Sequence, residues 1–274
     1  MGGDKEPDAI DKDGRAAWLA KQLAHHSNQY YNLAAPEISD AEYDSLWDEL
    51  KRLDAEHPQL NRVGIDPLPG TIKVKHQFPL RSLDKATNDS ELSHFVNETT
   101  QCGLRYISQP KLDGSALSLE YRMGRLVRAA TRGSGERGED VTQNARRIPN
   151  VPETLKFSVD AHVRGEVIMP LEIFNSKYSQ VSPNPRNLAA GALRQKHIEQ
   201  GKAKAEDLRF LAYDVCFPDT DTRHPDADEP PDTNFDSVLL EWLSDAGIRP
   251  AEWKLIKKND TSSVIQDMIE VTIE

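Results

Sequence analysis

The sequence predicts an α+β fold, with an N-terminal helical hairpin subdomain followed by a larger domain built on antiparallel sheet. Three observations predict it. Between Arg15 and Leu53 the apolar residues keep helical spacing and are interrupted once, at Pro36. From Ser115 onward the pattern changes to apolar alternation with turn residues between the runs. Between the two textures lies a stretch, Asn61 to Phe78, rich in Gly and Pro.

The elements follow in order. Residues 1–14 are polar and read as a disordered leader. From Arg15 to Asn32, Trp18, Leu19, Leu23 and Tyr30 suit one amphipathic helix, and Pro36 disfavours helix at Ala35. Ser39 then caps a second helix, with Glu42 completing a capping box, and Tyr43, Leu46, Trp47, Leu50 and Leu53 carry it toward His57-Pro58. Residues 15–60 thus form a helical unit and 61–78 a linker. In the second unit, 79–274, Ser115 to Tyr121 and Arg125 to Arg132 read as a hairpin turning at Met123-Gly124. Ala161 to Met169 is a further strand, Leu171 to Gln180 a helix, and Pro183 to Arg186 a turn. Leu188 to Gln195 is a helix, Leu208 to Phe217 a strand, and 217–232 an acidic, Pro-rich loop. Ser237 to Gly247 is a helix stopped by Gly247. Strands mixed irregularly with short helices favour antiparallel sheet over a parallel βαβ array.

Composition narrows the function classes. The 274 residues are 37% hydrophobic, enough for a core, and no apolar run approaches the roughly 20 residues of a membrane span. Two cysteines, Cys102 and Cys216, can build neither a disulfide framework nor a four-cysteine zinc site, and a cytoplasmic location is expected. A net charge of −11 argues against coating nucleic acid by bulk charge. The charge is uneven, however. From Ser176 to Lys204 the residues Lys177, Arg186, Arg194, Lys196, Lys202 and Lys204 face Glu199 alone, and such a stretch can track phosphates. The plainer reading is a solvated face.

The chemistry concentrates at Gln109-Pro-Lys111-Leu-Asp113-Gly114, at the mouth of a strand. In extended chain, Lys111 and Asp113 share a face, and Gly114 permits close approach of a ligand or a neighbouring backbone. Arg132 ends the next strand and Glu166 lies on a third, so adjacent antiparallel strands can gather Lys111, Arg132 and Glu166 about one cavity. An amine attacks only in its neutral form, which cationic neighbours and desolvation favour, so Arg132 has two uses there. The set suits nucleotidyl transfer to a lysine by in-line displacement at phosphorus.

Taken together, these residues make the chain resemble the bacterial NAD-dependent DNA ligases from about Trp18 to Gly247. The matching motifs are collinear: Tyr30-Tyr31, Ala35-Pro-Glu-Ile-Ser-Asp-Ala-Glu-Tyr-Asp44, Arg81-Ser-Leu-Asp84, Lys111-Leu-Asp-Gly114, Ala130-Thr-Arg-Gly133 with Gly138-Glu-Asp-Val-Thr142, Val163-Arg-Gly-Glu-Val167, and Asn184-Pro-Arg-Asn187 with Ala189 to Gln195. The resemblance implies that residues 15–60 are a cap holding the nicotinamide mononucleotide half of NAD through Tyr30, Tyr31, Asp40, Tyr43 and Asp44. Aromatic faces and carboxylates suit a flat cationic ring. It implies that 79–274 is a nucleotidyltransferase (adenylation) domain, in which Ser82, Leu83 and Gln109 line the adenosine pocket. Lys111, with Asp113 in its motif, takes AMP from NAD as a phosphoramidate. Arg132 contacts ribose and phosphate, and Glu166 the ribose hydroxyls. Arg186 and Arg194 grip phosphates of nicked double-stranded DNA. AMP then passes to the 5′-phosphate of the nick and the 3′-hydroxyl seals it, in replication and repair, with Mg2+ neutralising phosphate charge. A monomer is expected.

The chain departs from the family pattern at Gln109, where the family has Glu, and at Ser134, where it has Asp. No Asp-Gly pair follows Asp113-Gly114, and Glu274 falls about where the first of two lysine-bearing strands would begin, so the domain is expected to be C-terminally incomplete. Two outcomes stay open on the sequence: an active adenylating chain, or a ligase-derived piece that binds NAD or nicked DNA without complete ligation. Electrostatic contributions such as the absent lysines supply are worth roughly 3 kcal/mol each. An ATP-dependent ligase or capping relative shares the Lys-x-Asp-Gly chemistry, but the Tyr- and Asp-bearing cap has no use there. Gly133-Ser-Gly135-Glu-Arg-Gly138 fits the dinucleotide fingerprint G-x-G-x-x-G, yet Pro149 and Pro152 curtail any helix after it and the preceding strand pairs in a hairpin.

Overall fold

The computed structural model describes residues 12–31, 37–60, 72–80, 86, 88–101, 106–196, 201–219 and 221–256. Two helices open it, α1 (Lys12–Tyr31) and α2 (Asp40–Leu53). Helix α1 starts inside the expected leader: Lys12, Asp13 and Gly14 belong to it, with Asp13 in the first turn where a negative charge meets the positive end of the dipole. Ser39 caps α2 with its full capping box. Its hydroxyl oxygen accepts from the Glu42 N–H at 3.3 Å, and Glu42 Oε2 accepts from the Ser39 N–H at 2.8 Å. The helices pack through Leu19, Leu23 and Leu50, all fully buried. Arg15 clamps Glu49 through two parallel bonds of 2.7 and 2.8 Å.

The second unit centres on four antiparallel strands in the order β4-β3-β6-β7: β3 (Ser115–Arg122), β4 (Arg125–Thr131), β6 (Ala161–Ile168) and β7 (Arg209–Cys216). The β3–β4 hairpin turns on Met123 and Gly124, both at positive φ (49° and 70°), the geometry that matches strand twist. One face of the sheet buries Leu117, Leu119, Val163, Val167 and Phe210 under α6 (Pro185–Leu193) and α7 (Asp236–Ala246). Gly247 ends α7 in the left-handed region (φ 93°), as expected of the stop residue.

Short elements frame this sheet. Strand β1 (Lys73–Lys75) pairs with β5 (Arg137–Glu139), and β2 (Tyr106–Ser108) with β8 (Lys254–Ile256). Helix α3 (Asp89–Gln101) has no counterpart in the sequence reading. Strand β1 corrects the linker expected over 61–78: long-range pairing with β5 imposes extended structure on a segment too short to show a period. Helix α4 (Thr142–Ala145) is brief, and the segment Gly133 to Gly138 is a turn into β5, consistent with rejecting the dinucleotide fingerprint. Two expected elements shift. The expected 171–180 helix is a short α-turn, α5 (Leu171–Ile173), running into a π-turn at Phe174–Tyr178, where Ser176 bonds back to the Glu172 carbonyl at 2.8 Å. Helix α6 begins at Pro185, within the expected turn, because Asn184 caps it and proline suits the first helical position. The acidic loop is docked rather than loose, with Asp228 and Ser158 exchanging two bonds (2.6 and 2.7 Å) and the His224 N–H reaching Asp160 at 2.9 Å. Among the described residues no helix is long and apolar enough to cross a membrane.

Candidate active site

The face of the sheet opposite this core carries the site. Ala116 of β3 pairs in register with Glu166 of β6, and on its other side its carbonyl accepts from the Arg132 N–H at 3.2 Å. The sheet therefore brings Arg132 and Glu166 to the two flanks of one point, a few residues past Lys111. Lys111 and Asp113 are exposed, in irregular chain between β2 and β3 rather than in the extended strand expected. Gly114 makes the junction possible. A Cβ there would lie 2.3 Å from the Val167 carbonyl oxygen and 2.9 Å from Glu166 Cγ, so the close approach this glycine serves is that of β6.

Electrostatics tie the group together. Burial pushes the Glu166 carboxyl up to about 7, reinforced by Asp113 and opposed by Lys111, Arg132 and a hydrogen bond from the Gly114 N–H. Near neutral pH this carboxyl is shared between its two forms. Tyr213 on β7 adjoins it, and burial first, then Glu166, push its phenol up to about 12. Nothing singled Tyr213 out in the sequence, since its strand reads as ordinary alternation; only the β6–β7 register brings it near Glu166. Beside them, Arg164 pairs with Asp214 and donates to the Pro79 carbonyl at 3.2 Å, while Arg132 Nε donates to the Leu80 carbonyl at 3.3 Å. The segment after β1 thus braces both arginines from outside the sheet, with buried His76 bonded to the Thr131 carbonyl oxygen at 3.0 Å.

The remaining expected residues divide. Gln109 is half-buried, and its Nε2 is buried without a hydrogen-bond partner among the described residues, an amide donor suited to an adenine edge. Tyr30 and Arg186 meet: the guanidinium stacks 4.2 Å from the ring centroid, and Arg186 also pairs with Asp113 at 3.1 Å. The helical hairpin and the lysine motif are thereby linked through one side chain. Tyr43 hydroxyl bonds Ser27 at 2.8 Å across the hairpin, with Asp44 beside it on α2. Arg194 ends α6 and pairs with buried Glu139 at 3.5 Å. Ser82 and Leu83 lie outside the described residues, as do the side chains of Tyr31 and Asp40.

The donor set can be tested against the groups the resemblance implies. The orphaned Gln109 amide, the Arg132 guanidinium and the Glu166 carboxyl fit the base, phosphate and ribose of an adenylate. For Mg2+ the fit is partial. Among the described residues no three-ligand cluster surrounds Lys111, so an ion there would be held largely by phosphate oxygens and water.

A four-stranded antiparallel sheet with a lysine at its mouth and a guanidinium and carboxyl beside it is the arrangement that nucleotidyl transfer to a lysine requires. The comparisons take this further. The profile of the NAD-dependent DNA ligase adenylation domain matches residues 70–272, and that of the DNA ligase-like N-terminal NAD+-binding domain matches residues 10–64. The chain belongs to the NAD-dependent DNA ligase family. It is 40% identical over 215 residues to a DNA ligase of Halothermothrix orenii, covering 72% of this chain and 32% of that protein. It is 39% identical over 256 residues to a DNA ligase of Nitrobacter hamburgensis, covering 84% and 34%. The chain thus spans about a third of the length of these curated relatives. A solved ATP-dependent DNA ligase from bacteriophage T7, in complex with ATP, aligns at 13% identity over 69% of this chain and 58% of its own, with a TM-score of 0.36, too slight a likeness to bear structural weight.

Proposed function

We propose that this chain carries out the adenylating half-reaction of an NAD-dependent DNA ligase. Lys111, in its neutral form, attacks the α-phosphate of NAD; the pyrophosphate bond to nicotinamide mononucleotide breaks and AMP remains on Nζ as a phosphoramidate. Residues 15–60 act as the cap and 79–274 as the adenylation domain. Tyr30, Tyr31, Asp40, Tyr43 and Asp44 hold the nicotinamide half, while Ser82, Leu83 and Gln109 hold adenosine. Arg132 offsets charge growing on the phosphate, and Glu166 orients the ribose hydroxyls. Mg2+, when bound, neutralises phosphate charge. In the complete enzyme AMP passes to the 5′-phosphate of nicked duplex DNA, whose 3′-hydroxyl seals the strand, with Arg186 and Arg194 on the nick phosphates. The cytoplasm is the proposed location, and a monomer the proposed state.

The observation that supports this reading best is the meeting of Arg132 and Glu166 on either side of Ala116, with Lys111 and Asp113 within electrostatic reach of Glu166. Intact-protein mass after incubation with NAD and magnesium tests it. An AMP-sized adduct absent in Lys111→Ala is expected. A wild-type chain that binds NAD yet gains no mass would overturn the catalytic reading and favour a ligase-derived binding module. An equal adduct from ATP would overturn the NAD assignment.

A further inference from the structure

The helical hairpin holds a second group of chemistry-bearing side chains, separate from the nicotinamide residues. His25 and His26 lie late in α1, and Glu37 precedes the Ser39 cap of α2. His25 Nε2 is 2.7 Å from Glu37 Oε2, and His26 Nδ1 is 3.8 Å from the same oxygen. One ligand atom from each residue falls within 4.8 Å of the other two, the one such trio of His, Cys, Asp or Glu among the described residues.

From these positions we infer that His25, His26 and Glu37 form a binding site for a borderline divalent cation of the Zn2+ type. Bonds of roughly 2.0–2.2 Å to nitrogen and carboxylate oxygen set neighbouring donors of a tetrahedral site about 3.3 Å apart, a spacing that the 2.7 and 3.8 Å distances bracket. Small side-chain rotations therefore suffice. His26 Nδ1 is shielded from solvent and has no hydrogen-bond partner among the described residues, a cost that a metal bond removes. Gln29 Nε2 donates to Glu37 Oε1 at 2.6 Å and so fixes the carboxylate with its other oxygen toward the histidines. His25 and Glu37 are about half exposed, which leaves an entry path and a fourth position for water. Two imidazoles and one carboxylate select this class over Mg2+ or Ca2+, which prefer oxygen donors alone. His26 stands one turn before Tyr30, and Glu37 two residues before the α2 cap. A bound ion would therefore fasten the two arms of the cap close to the residues proposed for nicotinamide.

The test is titration of the untagged chain with ZnCl2 by calorimetry, together with the visible spectrum of the Co2+-loaded chain. One site per chain is expected, with the intense bands of four-coordinate Co2+ and no displacement by excess MgCl2. His25→Gln and Glu37→Gln, both at accessible positions, should each weaken zinc binding at least tenfold while the far-ultraviolet circular dichroism is retained. The sequence has eight histidines, so zinc affinity unchanged in both variants would place the ion elsewhere and overturn the assignment. So would the absence of saturable binding, which would leave His25 and Glu37 a simple hydrogen-bonded pair, or a Co2+ spectrum of the six-coordinate aqua ion.

Discussion

Glu166 is the site carboxyl whose ionisation is coupled to folding. Its folded value of about 7 lies above the 4.5 of an ordinary glutamate, so folding takes up a proton between those limits. The sign follows: the stability tied to protonation is fully present below 4.5 and is lost as pH rises through 7. The converted shift is about 3 kcal/mol. Glu166→Gln is therefore expected to raise the Tm relative to wild type at pH 8 and to lose that advantage at pH 4, read by paired melting curves. The same variant should adenylate more slowly, since a carboxyl that ionises near neutrality is proposed to orient ribose. Buried His162, pushed down to about 4 by desolvation, acts in the opposite sense. It takes up fewer protons folded than unfolded, so its contribution is lost as pH falls from 6.5 toward 4. The residue pattern of the motifs was legible in sequence; the Glu166 environment was not, because it depends on which strands flank β3.

At the scale of elements, the positions of Lys111, Arg132 and Glu166 follow from β3 lying between β4 and β6. That arrangement requires Gly114, where any Cβ would collide with the Val167 carbonyl. Gly114→Ala is expected to cost about 1–3 kcal/mol, read as a lower urea midpoint at unchanged slope, and to reduce AMP-adduct formation by shifting the lysine loop. Helices α1, α2 and α7 and strands β3, β4, β6 and β7 were readable because each spans several repeats of its period or carries a cap or turn signal. Strands β1, β2 and β8 have three residues each, too few to show alternation, and exist because a partner strand supplies their hydrogen bonds. The start of α6 was missed because Pro185 reads as a breaker until Asn184 caps the turn before it.

On the scale of the whole molecule, charge and connectivity govern what the proposed DNA contact can be. The net charge of −11 repels a polyanion, so binding must be local. If Arg186, Arg194, Lys196, Lys202 and Lys204 each meet one phosphate, log K should fall with log salt at a slope of about −4.5. Fluorescence anisotropy of nicked duplex across a salt series checks this, and a slope near zero would remove the basic stretch from the interface. Arg186 adds a constraint. Here it is stacked on Tyr30 and paired with Asp113, so it cannot meet a nick phosphate without leaving both partners.

By itself the sequence determined the α+β class, the order of a helical hairpin before an antiparallel sheet, the capping box at Ser39, the hairpin turn at Met123-Gly124, and the family, because these are written in local periods, turn chemistry and short motifs. Only the tertiary structure decided that Gly114 makes room for β6, that the Gln109 amide is buried with no partner among the described residues, that Tyr213 lies within electrostatic reach of Glu166, and that His25, His26 and Glu37 converge. The physical reason is common to all four: each depends on strand register or helix packing between residues distant in the chain, and no local pattern records which distant backbone will be the neighbour.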